Sequence, residues 1–357
     1  MRLVSLSMLN LDMQLAKSIY YNDCLVLKEG TSDLGRFTVS LKKLGIDYVY
    51  VEDSKSIGIE IPDAISEETR VSCKKILRQT IDDFSNKTII DLSDLTDTIN
   101  SIIDDILEHP DIQISLNDIG AADEYTFSHS VSTTVYSLLI ANRLGYNRAM
   151  MEKLAAGALL HDMGKILLET KILNKQGNLE AEEFEHIKLH TTLGYDALKK
   201  CISLTELSRI ISLYHHERMD GKGYPTGAMA GELHEFTRIV AIADVFDALV
   251  SDRCYRKKWS SNTAVNYLVE HAETQFDTKL VSVLIKQIAI YPNGSMVRLS
   301  NNAVGIVKEQ NINFPLRPII RVITDQEGKE IEMYEIDLMK ILSITIIESE
   351  IEMNYGW

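Results

Sequence analysis

The chain has 357 residues, a length that accommodates two or three domains. Its residues are 45% hydrophobic and 25% charged, which are the proportions of an ordinary globular protein with a large core. The net charge of −15 argues against a nonspecific nucleic-acid surface, and therefore against DNA as a partner. A local basic patch can still hold a small anionic ligand on such a protein.

The four cysteines are scattered without Cys-x-x-Cys spacing, which indicates free buried thiols in a reducing compartment. The N-terminal apolar run is too short and too interrupted for a signal peptide. No segment reaches the ~18 apolar residues that a membrane helix needs. We therefore expect a cytoplasmic protein without a membrane segment.

Residues 1–110 predict an α/β module followed by connecting helices. The predicted elements are a hairpin at residues 15–28, a helix from Thr31 to about Leu44, a strand at 46–51, and helices at 63–86 and 92–108. Gly45 can end the first helix, and Pro110 marks the boundary with the next region.

Residues 111–290 predict an almost entirely helical domain, so the fold class is mainly α. The predicted helices cover residues 125–144, 147–162, 180–200, 204–216, 236–251, 262–273 and 278–289. We expect the stretch at 180–200 to be two helices that meet near residues 191–194.

Residues 291–357 predict a small β-rich module with short strands at 296–299, 303–308, 318–324 and 341–347. Neither terminal module has an evident site of its own, and small β modules bury little surface alone. We expect the two modules to pack on each other or on the bundle, and to act as a regulatory or docking unit.

Two sequence stretches in the helical domain carry candidate chemistry. The first, HDMGK at residues 161–165, follows an apolar run at residues 154–160. A carboxylate at the end of an apolar helix is costly unless it is paired or bound to a metal. The second stretch, HHERMDGKGYP at residues 215–225, places adjacent histidines before a turn rich in glycine and proline. Asp244 lies inside a further apolar helix and needs a cation or a strong hydrogen-bond partner.

Imidazole and carboxylate groups together suit divalent transition metals. Seven residues are candidate ligands: His129, His161, Asp162, His190, His215, His216 and Asp244. Seven ligands are too many for one four-coordinate zinc ion and are about right for two metals with water. Asp162 is the natural bridge, because a carboxylate can ligate through both oxygens.

Each candidate also has an ordinary structural explanation. His129 or His190 taken alone is more often a core histidine, and Asp244 could pair with an arginine. Asp247, close to one turn after Asp244, could orient a ligand or join two helices. These explanations fail jointly, because they do not explain why His-Asp, His-His and a buried aspartate occur together in one helical domain. The four remaining histidines are interpreted as surface or structural residues: His109, His186, His234 and His271.

The stretch at residues 161–165 resembles the HD-x-G-K motif of the HD metal-dependent phosphohydrolase superfamily. The stretch at 215–225 resembles the HHE-x-x-DG-x-GYP signature of its HD-GYP branch, and SDRCYRK at 251–257 resembles a further element of that branch. The resemblance covers about residues 111–290, half of the chain, and implies an HD-type helical bundle.

The resemblance implies a phosphodiesterase that hydrolyses cyclic di-GMP to linear pGpG, and in some members on to GMP, through a metal-activated hydroxide. It implies that the seven candidates are metal ligands. The His-rich, carboxylate-bridged set suits two divalent ions, with iron or manganese expected and other divalent ions possible. Lys165 would bond a phosphate oxygen, Tyr224 would contact substrate, and Arg253 and Arg256 would hold the second phosphate. Signalling proteins could bind through the Gly-Tyr-Pro loop or the terminal modules, and a homodimer is compatible with the sequence.

One departure from the family pattern concerns the number of metals. Some members resembling this chain hold a third metal with a glutamate one helical turn before the first histidine, where this chain has Tyr125. The sequence therefore predicts two metals. Two alternatives stay open, namely hydrolysis of a related cyclic dinucleotide and a catalytically weak receptor for one.

Overall fold

The structure is a computed structural model that describes residues 1–21, 24–86, 91–109, 125–173, 175, 177, 180–251 and 259–349. Side chains 85, 86, 125, 126 and 170 are outside this description. Within it, helices form the central part of the chain, and small sheets form both ends. The predicted fold class, a mainly α protein with an α/β N-terminal module and a β-rich C-terminal module, is confirmed.

The N-terminal module contains two small antiparallel sheets and one short helix. Its elements are β1 (Arg2–Ser5), β2 (Gln14–Leu15), β3 (Ile19–Tyr21), β4 (Cys24–Leu27), α1 (Thr38–Lys43) and β5 (Tyr48–Glu52). One sheet has the order β1-β5-β2, and β3 pairs with β4. A hairpin forms at residues 19–27 rather than 15–28, because residues 14–15 form β2 and pair with β5 instead.

The first helix begins later than predicted, at Thr38 rather than Thr31. Asp33 has a left-handed backbone with φ of +54°, and residues 34–37 form a 3-10 turn before α1. The Thr31 hydroxyl donates to the carbonyl oxygen of Lys28 at 2.5 Å, so it closes a turn instead of capping a helix.

The central bundle is formed by α2 (Glu67–Asn86), α3 (Ser93–Glu108), α4 (Tyr125–Arg143), α5 (Arg148–Leu159), α6 (Thr170–Leu173), α7 (Ala181–Leu198), α8 (Glu206–Tyr214), α9 (Glu235–Val250), α10 (Ser261–Glu270) and α11 (Thr278–Ile285). The predicted division of residues 180–200 into two helices is wrong, because α7 is continuous. Gly194 lowers the intrinsic helix propensity there. Its missing side chain lets α7 approach Gly164 closely, and packing therefore decides the local structure.

Helices α2 and α3 share the hydrophobic core of the bundle. Leu77 and Cys73 from α2, and Ile102 from α3, are fully buried in one cluster with Leu138 of α4 and Ile242 of α9. The two helices that follow the N-terminal module are therefore part of the bundle and share its core. None of the helices in the described ranges is long and apolar enough to span a membrane.

The C-terminal module is a five-stranded antiparallel sheet with the order β10-β6-β7-β8-β9. Its strands are β6 (Met296–Leu299), β7 (Val304–Glu309), β8 (Ile319–Thr324), β9 (Glu330–Asp337) and β10 (Ile346–Ser349). The sequence prediction missed β9 and placed the last strand at 341–347. Strand β9 is an edge strand with mostly exposed side chains, so it lacks the apolar alternation that identifies a half-buried strand.

The two terminal modules pack against each other, which confirms that part of the prediction. Ile59, which follows the N-terminal sheet, is buried with Ile306 and Ile323 of the C-terminal sheet. The Leu3 amide donates to the Gly294 carbonyl oxygen at 3.1 Å, and the Arg321 guanidinium donates to the Ile57 carbonyl oxygen at 2.6 Å. Regulation by this combined unit stays a prediction.

Candidate metal centre

Five different parts of the bundle bring the seven candidate ligands together. His129 comes from α4, His190 from α7 and Asp244 from α9. His161 and Asp162 lie in the turn after α5, and the adjacent histidines at 215 and 216 follow α8. Six of the side chains are buried, and His216 is half-buried. Residues far apart in the sequence therefore form one compact polar cluster inside an apolar bundle.

The turn that carries the His-Asp pair is fixed by backbone contacts. Helix α5 ends at Leu159, three residues before the predicted end, and a 3-10 helix at Met163–Leu167 follows Asp162. The Ser212 hydroxyl of α8 donates to the His161 carbonyl oxygen at 2.9 Å. Gly164 lies so close to α7 that a Cβ there would be 1.8 Å from the His190 carbonyl oxygen. The turn is thus held against both ligand-bearing helices.

Three histidines have the tautomer that metal ligation through Nε2 requires. Nδ1 lies 2.7 Å from the Ala158 carbonyl oxygen in His161 and 2.7 Å from the Ile187 carbonyl oxygen in His190. In His215, Nδ1 lies 2.9 Å from the Ser212 carbonyl oxygen. Since a carbonyl oxygen only accepts, each Nδ1–H donates, and in the neutral form of each ring the lone pair is then on Nε2.

Two of these lone pairs face each other. Nε2 of His190 and Nε2 of His215 are 3.2 Å apart. Burial lowers the pKa of both imidazoles, further helped at His215 by the neighbouring histidines, so both rings are neutral. Two opposed lone pairs in a buried site are unfavourable, and a cation between them removes the conflict.

The candidate ligand atoms form two groups. In each group, all of the atoms lie within 4.8 Å of one another. The first group is Asp162, His190, His215 and His216, and the second is His129, His161 and Asp244. Each group can hold one ion.

Asp162 faces both groups. Its Oδ1 lies 3.6 Å from Nε2 of His190 and 3.8 Å from Nε2 of His215. Its Oδ2 lies 3.3 Å from Nε2 of His161 and 3.7 Å from Nε2 of His129. This geometry fits a carboxylate that bridges two ions.

Unpaired polar atoms in the centre also fit bound metal. Among the described residues, His161 Nε2 and Asp162 Oδ1 are buried without a hydrogen-bond partner. Buried polar atoms are nearly always paired, so such orphans need an explanation. Nitrogen and carboxylate oxygen donors aimed at one space are the ligands that divalent transition metals prefer.

The charges around the candidate ligands favour, for most of them, the protonation state that metal binding requires. Burial tends to raise the pKa of Asp162, but the Lys165 ammonium group holds it well below its usual range. Burial lowers the pKa of His216 to about 3. His129 is the exception: burial tends to lower its pKa, but hydrogen bonds to Asp244 and Asp247 raise it to about 9.

Asp247 orients the His129 ring. Its Oδ2 lies 2.6 Å from Nδ1 of His129, and its Oδ1 accepts from the Ser251 hydroxyl at 3.2 Å. On the other side of the ring, Nε2 of His129 lies 3.0 Å from Oδ1 of Asp244. A carboxylate on the far nitrogen fixes ring orientation and raises ligand basicity.

Lys165 and Tyr224 border the centre on its accessible side. Nζ of Lys165 lies 2.6 Å from Oδ2 of Asp162, and its side chain is 31% exposed. The Tyr224 ring centroid is 4.8 Å from that of His216. Burial and the nearby Asp244 and Asp162 charges raise the pKa of Tyr224, so its hydroxyl keeps its proton and can donate.

The loop that carries Tyr224 is tied to the segment after α8 by Glu217. Oε1 of Glu217 accepts from the Thr226 amide at 2.7 Å, from the Thr226 hydroxyl at 2.9 Å and from the Gly227 amide at 3.0 Å. Sequence reasoning assigned no role to Glu217. Its position directly after the paired histidines could have indicated a role in the site.

Comparisons with known proteins identify two domain families in this chain. Residues 116–280 match the family described as HD domain, and residues 296–355 match a KOW domain associated with the HD domain. The chain contains an HD domain.

Similar proteins include several named phosphodiesterases. A cyclic di-GMP phosphodiesterase of Pseudomonas aeruginosa is 33% identical over 67% of this chain and 58% of its own length. One from Borreliella burgdorferi is 30% identical over 59% of this chain and 55% of its own length. A 3′3′-cGAMP-specific phosphodiesterase of Vibrio cholerae is 34% identical over 49% of this chain and 38% of its own length. The chain thus spans less than two thirds of each relative.

Some of the predicted residues of the HD domain lie outside the described residues. Arg253 and Arg256 are among them, and so is the side chain of Tyr125. Helix α9 ends at Val250, one residue before the predicted end, and Ser251 has an extended backbone.

We expect Glu217→Ala to reduce turnover of the preferred substrate by about 10²-fold, the cost of a ~1 Å misplacement near the reacting groups. The loop would lose three hydrogen bonds, and Tyr224 would lose its position. Glu217→Gln keeps an oxygen acceptor and is expected to retain most of the activity. Glu232→Ala is the matched control, because the Glu232 side chain is exposed and accepts from the loop amide of Met229. Steady-state kinetics check this, and equal losses in both Glu217 variants would contradict it.

Proposed function

We propose that this protein is a metal-dependent phosphodiesterase that hydrolyses cyclic di-GMP to linear pGpG. The observation that carries the proposal is the seven-residue centre, in which the two oxygens of Asp162 face two separate ligand groups. The named activity of the relatives from Pseudomonas aeruginosa and Borreliella burgdorferi supports the substrate. All seven ligands are present, which favours an enzyme over a catalytically weak receptor.

We propose two divalent ions, iron or manganese, one in each ligand group. Five imidazoles and two carboxylates suit these ions at least as well as zinc. When bound, such a pair supplies Lewis acidity toward a phosphoryl oxygen and an activated water.

Different residues of the chain then bind the ions and bind the substrate. Asp162 and Asp244 are charged and set the anionic field that holds the ions. Lys165 lies at the edge of the centre, where its ammonium group can turn from Asp162 to a non-bridging phosphate oxygen. The protonated Tyr224 hydroxyl can donate to the substrate. Arg253 and Arg256 stay proposed ligands of the second phosphate.

A related cyclic dinucleotide is the second candidate substrate. The Vibrio cholerae relative is named as specific for 3′3′-cGAMP, and its identity to this chain is similar to that of the cyclic di-GMP enzymes. The two substrates differ in one base, guanine or adenine. The metal centre acts on phosphate and does not distinguish them, so discrimination must come from residues that contact the bases.

The proposal is tested by turnover of the protein purified without oxygen and supplied with iron, manganese or magnesium. We expect cyclic di-GMP to be cleaved to pGpG, with iron or manganese supporting the faster rates, as followed by chromatography of the products. Cyclic di-AMP and 3′3′-cGAMP are run in parallel. Absence of cleavage with every metal would contradict an enzymatic role. Faster cleavage of 3′3′-cGAMP than of cyclic di-GMP would make 3′3′-cGAMP the preferred substrate.

A further inference from the structure

An exposed aromatic side chain lies next to the metal centre without a role in the core. Phe184 on α7 is 44% exposed, and its ring centroid is 6.3 Å from that of Tyr224, with an angle of 80° between the ring planes. Tyr224 in turn lies 6.4 Å from His190 and 4.8 Å from His216, measured between ring centroids. Phe184 is therefore one ring beyond the residues that border the ligands.

A lysine lies between the two aromatic rings. Nζ of Lys188 is 5.0 Å from the Phe184 centroid and 5.5 Å from the Tyr224 centroid. The ammonium group also pairs with Glu185 at 2.6 Å, and the Lys188 side chain is 26% exposed. Phe184 and Lys188 are four residues apart on one helix and so share a face. Together with Tyr224 they form a small surface that we name the aromatic ledge.

We propose that the aromatic ledge binds a guanine base of the substrate, with Phe184 and Tyr224 contacting its faces or edges and Lys188 donating to its O6 and N7. This inference rests on the proposed function. The ledge adjoins the candidate ligands, since Tyr224 contacts the His190 and His216 rings and Phe184 contacts Tyr224, so a base attached through its ribose to a phosphate at the metals can reach it. Aromatic rings are the usual contacts for an unpaired base.

Lys188 gives the ledge a preference between bases. Guanine presents two acceptors, O6 and N7, on the edge that an ammonium group can approach. Adenine presents N7 but places an amino donor where guanine has O6, and an ammonium group cannot accept from it. The ledge therefore favours guanine over adenine, the discrimination that the metal centre itself does not provide.

The test compares Phe184→Ala, Phe184→Trp and Lys188→Met in the full-length protein. Leu189→Ala is the matched control, since Leu189 is 46% exposed on the same helix but lies on another face. Kinetics are measured on cyclic di-GMP, cyclic di-AMP and bis(p-nitrophenyl) phosphate, a diester without a base. The affinity for cyclic di-GMP is measured separately by calorimetry.

For Phe184→Ala we expect the KM and Kd for cyclic di-GMP to rise about tenfold, in the lower part of the range for losing one base-stacking contact. The ratio of kcat/KM on cyclic di-GMP to that on the base-free diester should fall by a similar factor. Phe184→Trp should restore both values, and Lys188→Met should reduce the preference for guanine over adenine. Leu189→Ala should match the wild type.

Equal losses of kcat/KM on cyclic di-GMP and on the base-free diester would overturn the proposal that the ledge binds guanine. Wild-type affinity for cyclic di-GMP in Phe184→Ala would overturn it as well. If wild-type protein binds cyclic di-GMP but does not cleave it, the proposed activity fails while the affinity comparison still decides the ledge. Wild-type protein that neither binds nor cleaves cyclic di-GMP would overturn both.

Discussion

Replacing Asp162 with alanine is expected to lower turnover by at least about 10³-fold, the upper part of the range for losing one electrostatic contact to a transition state. The two oxygens of Asp162 face different ligand groups, so the substitution removes a donor from both at once. It also removes one of the two buried carboxylate charges that attract the ions, the other being that of Asp244. We expect the bound metal to fall together with the rate.

The control for this prediction is Asp196→Ala. Asp196 is an exposed aspartate on α7 whose contact is an ion pair with Lys199 at 2.7 Å. Metal content by mass spectrometry and helical content by circular dichroism are measured for both variants. Wild-type metal content and rate in Asp162→Ala protein, with the fold intact, would show that Asp162 does not bridge.

Gly164→Ala is expected to have the second largest effect. A Cβ at this position would lie 1.8 Å from the His190 carbonyl oxygen and 2.6 Å from the Gly194 amide nitrogen, both backbone atoms that cannot move alone. The turn after α5 and the helix α7 must therefore separate. We expect a loss of about 3 kcal/mol in the free energy of unfolding, at the upper end for overpacked sites. Activity should fall as well, because His161 and His190 move apart.

Gly231→Ala controls for the substitution itself, since Gly231 is exposed and a Cβ added there would meet no atom of the described residues within 4 Å. Denaturant unfolding and metal content are compared for the two variants. Equal stability of the two proteins would contradict the close packing of the 3-10 turn against α7.

Local patterns predicted the helical bundle well, because α3 and α9 bury continuous apolar faces that are visible in the sequence. The candidate ligands were found from residue type and from motif resemblance. What the sequence could not provide was their division into two groups. That division depends on how α4, α7, α8 and α9 cross, which is set by packing between residues far apart in the chain.

Other features depend on contacts with residues that lie elsewhere in the chain, which a local sequence pattern does not show. The continuity of α7 depends on contact between Gly194 and Gly164, so glycine there looked like a break. Glu217 looked like part of a motif, and its function became visible only through its bonds to Thr226 and Gly227. The aromatic ledge requires Phe184 and Tyr224, which are forty residues apart, to meet.

The most direct test of the metal centre is anomalous diffraction from crystals of the protein loaded with manganese. We predict two peaks per chain. One should lie among Asp162, His190, His215 and His216, the other among His129, His161 and Asp244, with Asp162 between them. A single peak, a third peak, or two peaks that do not share Asp162 would contradict the bridged two-metal centre.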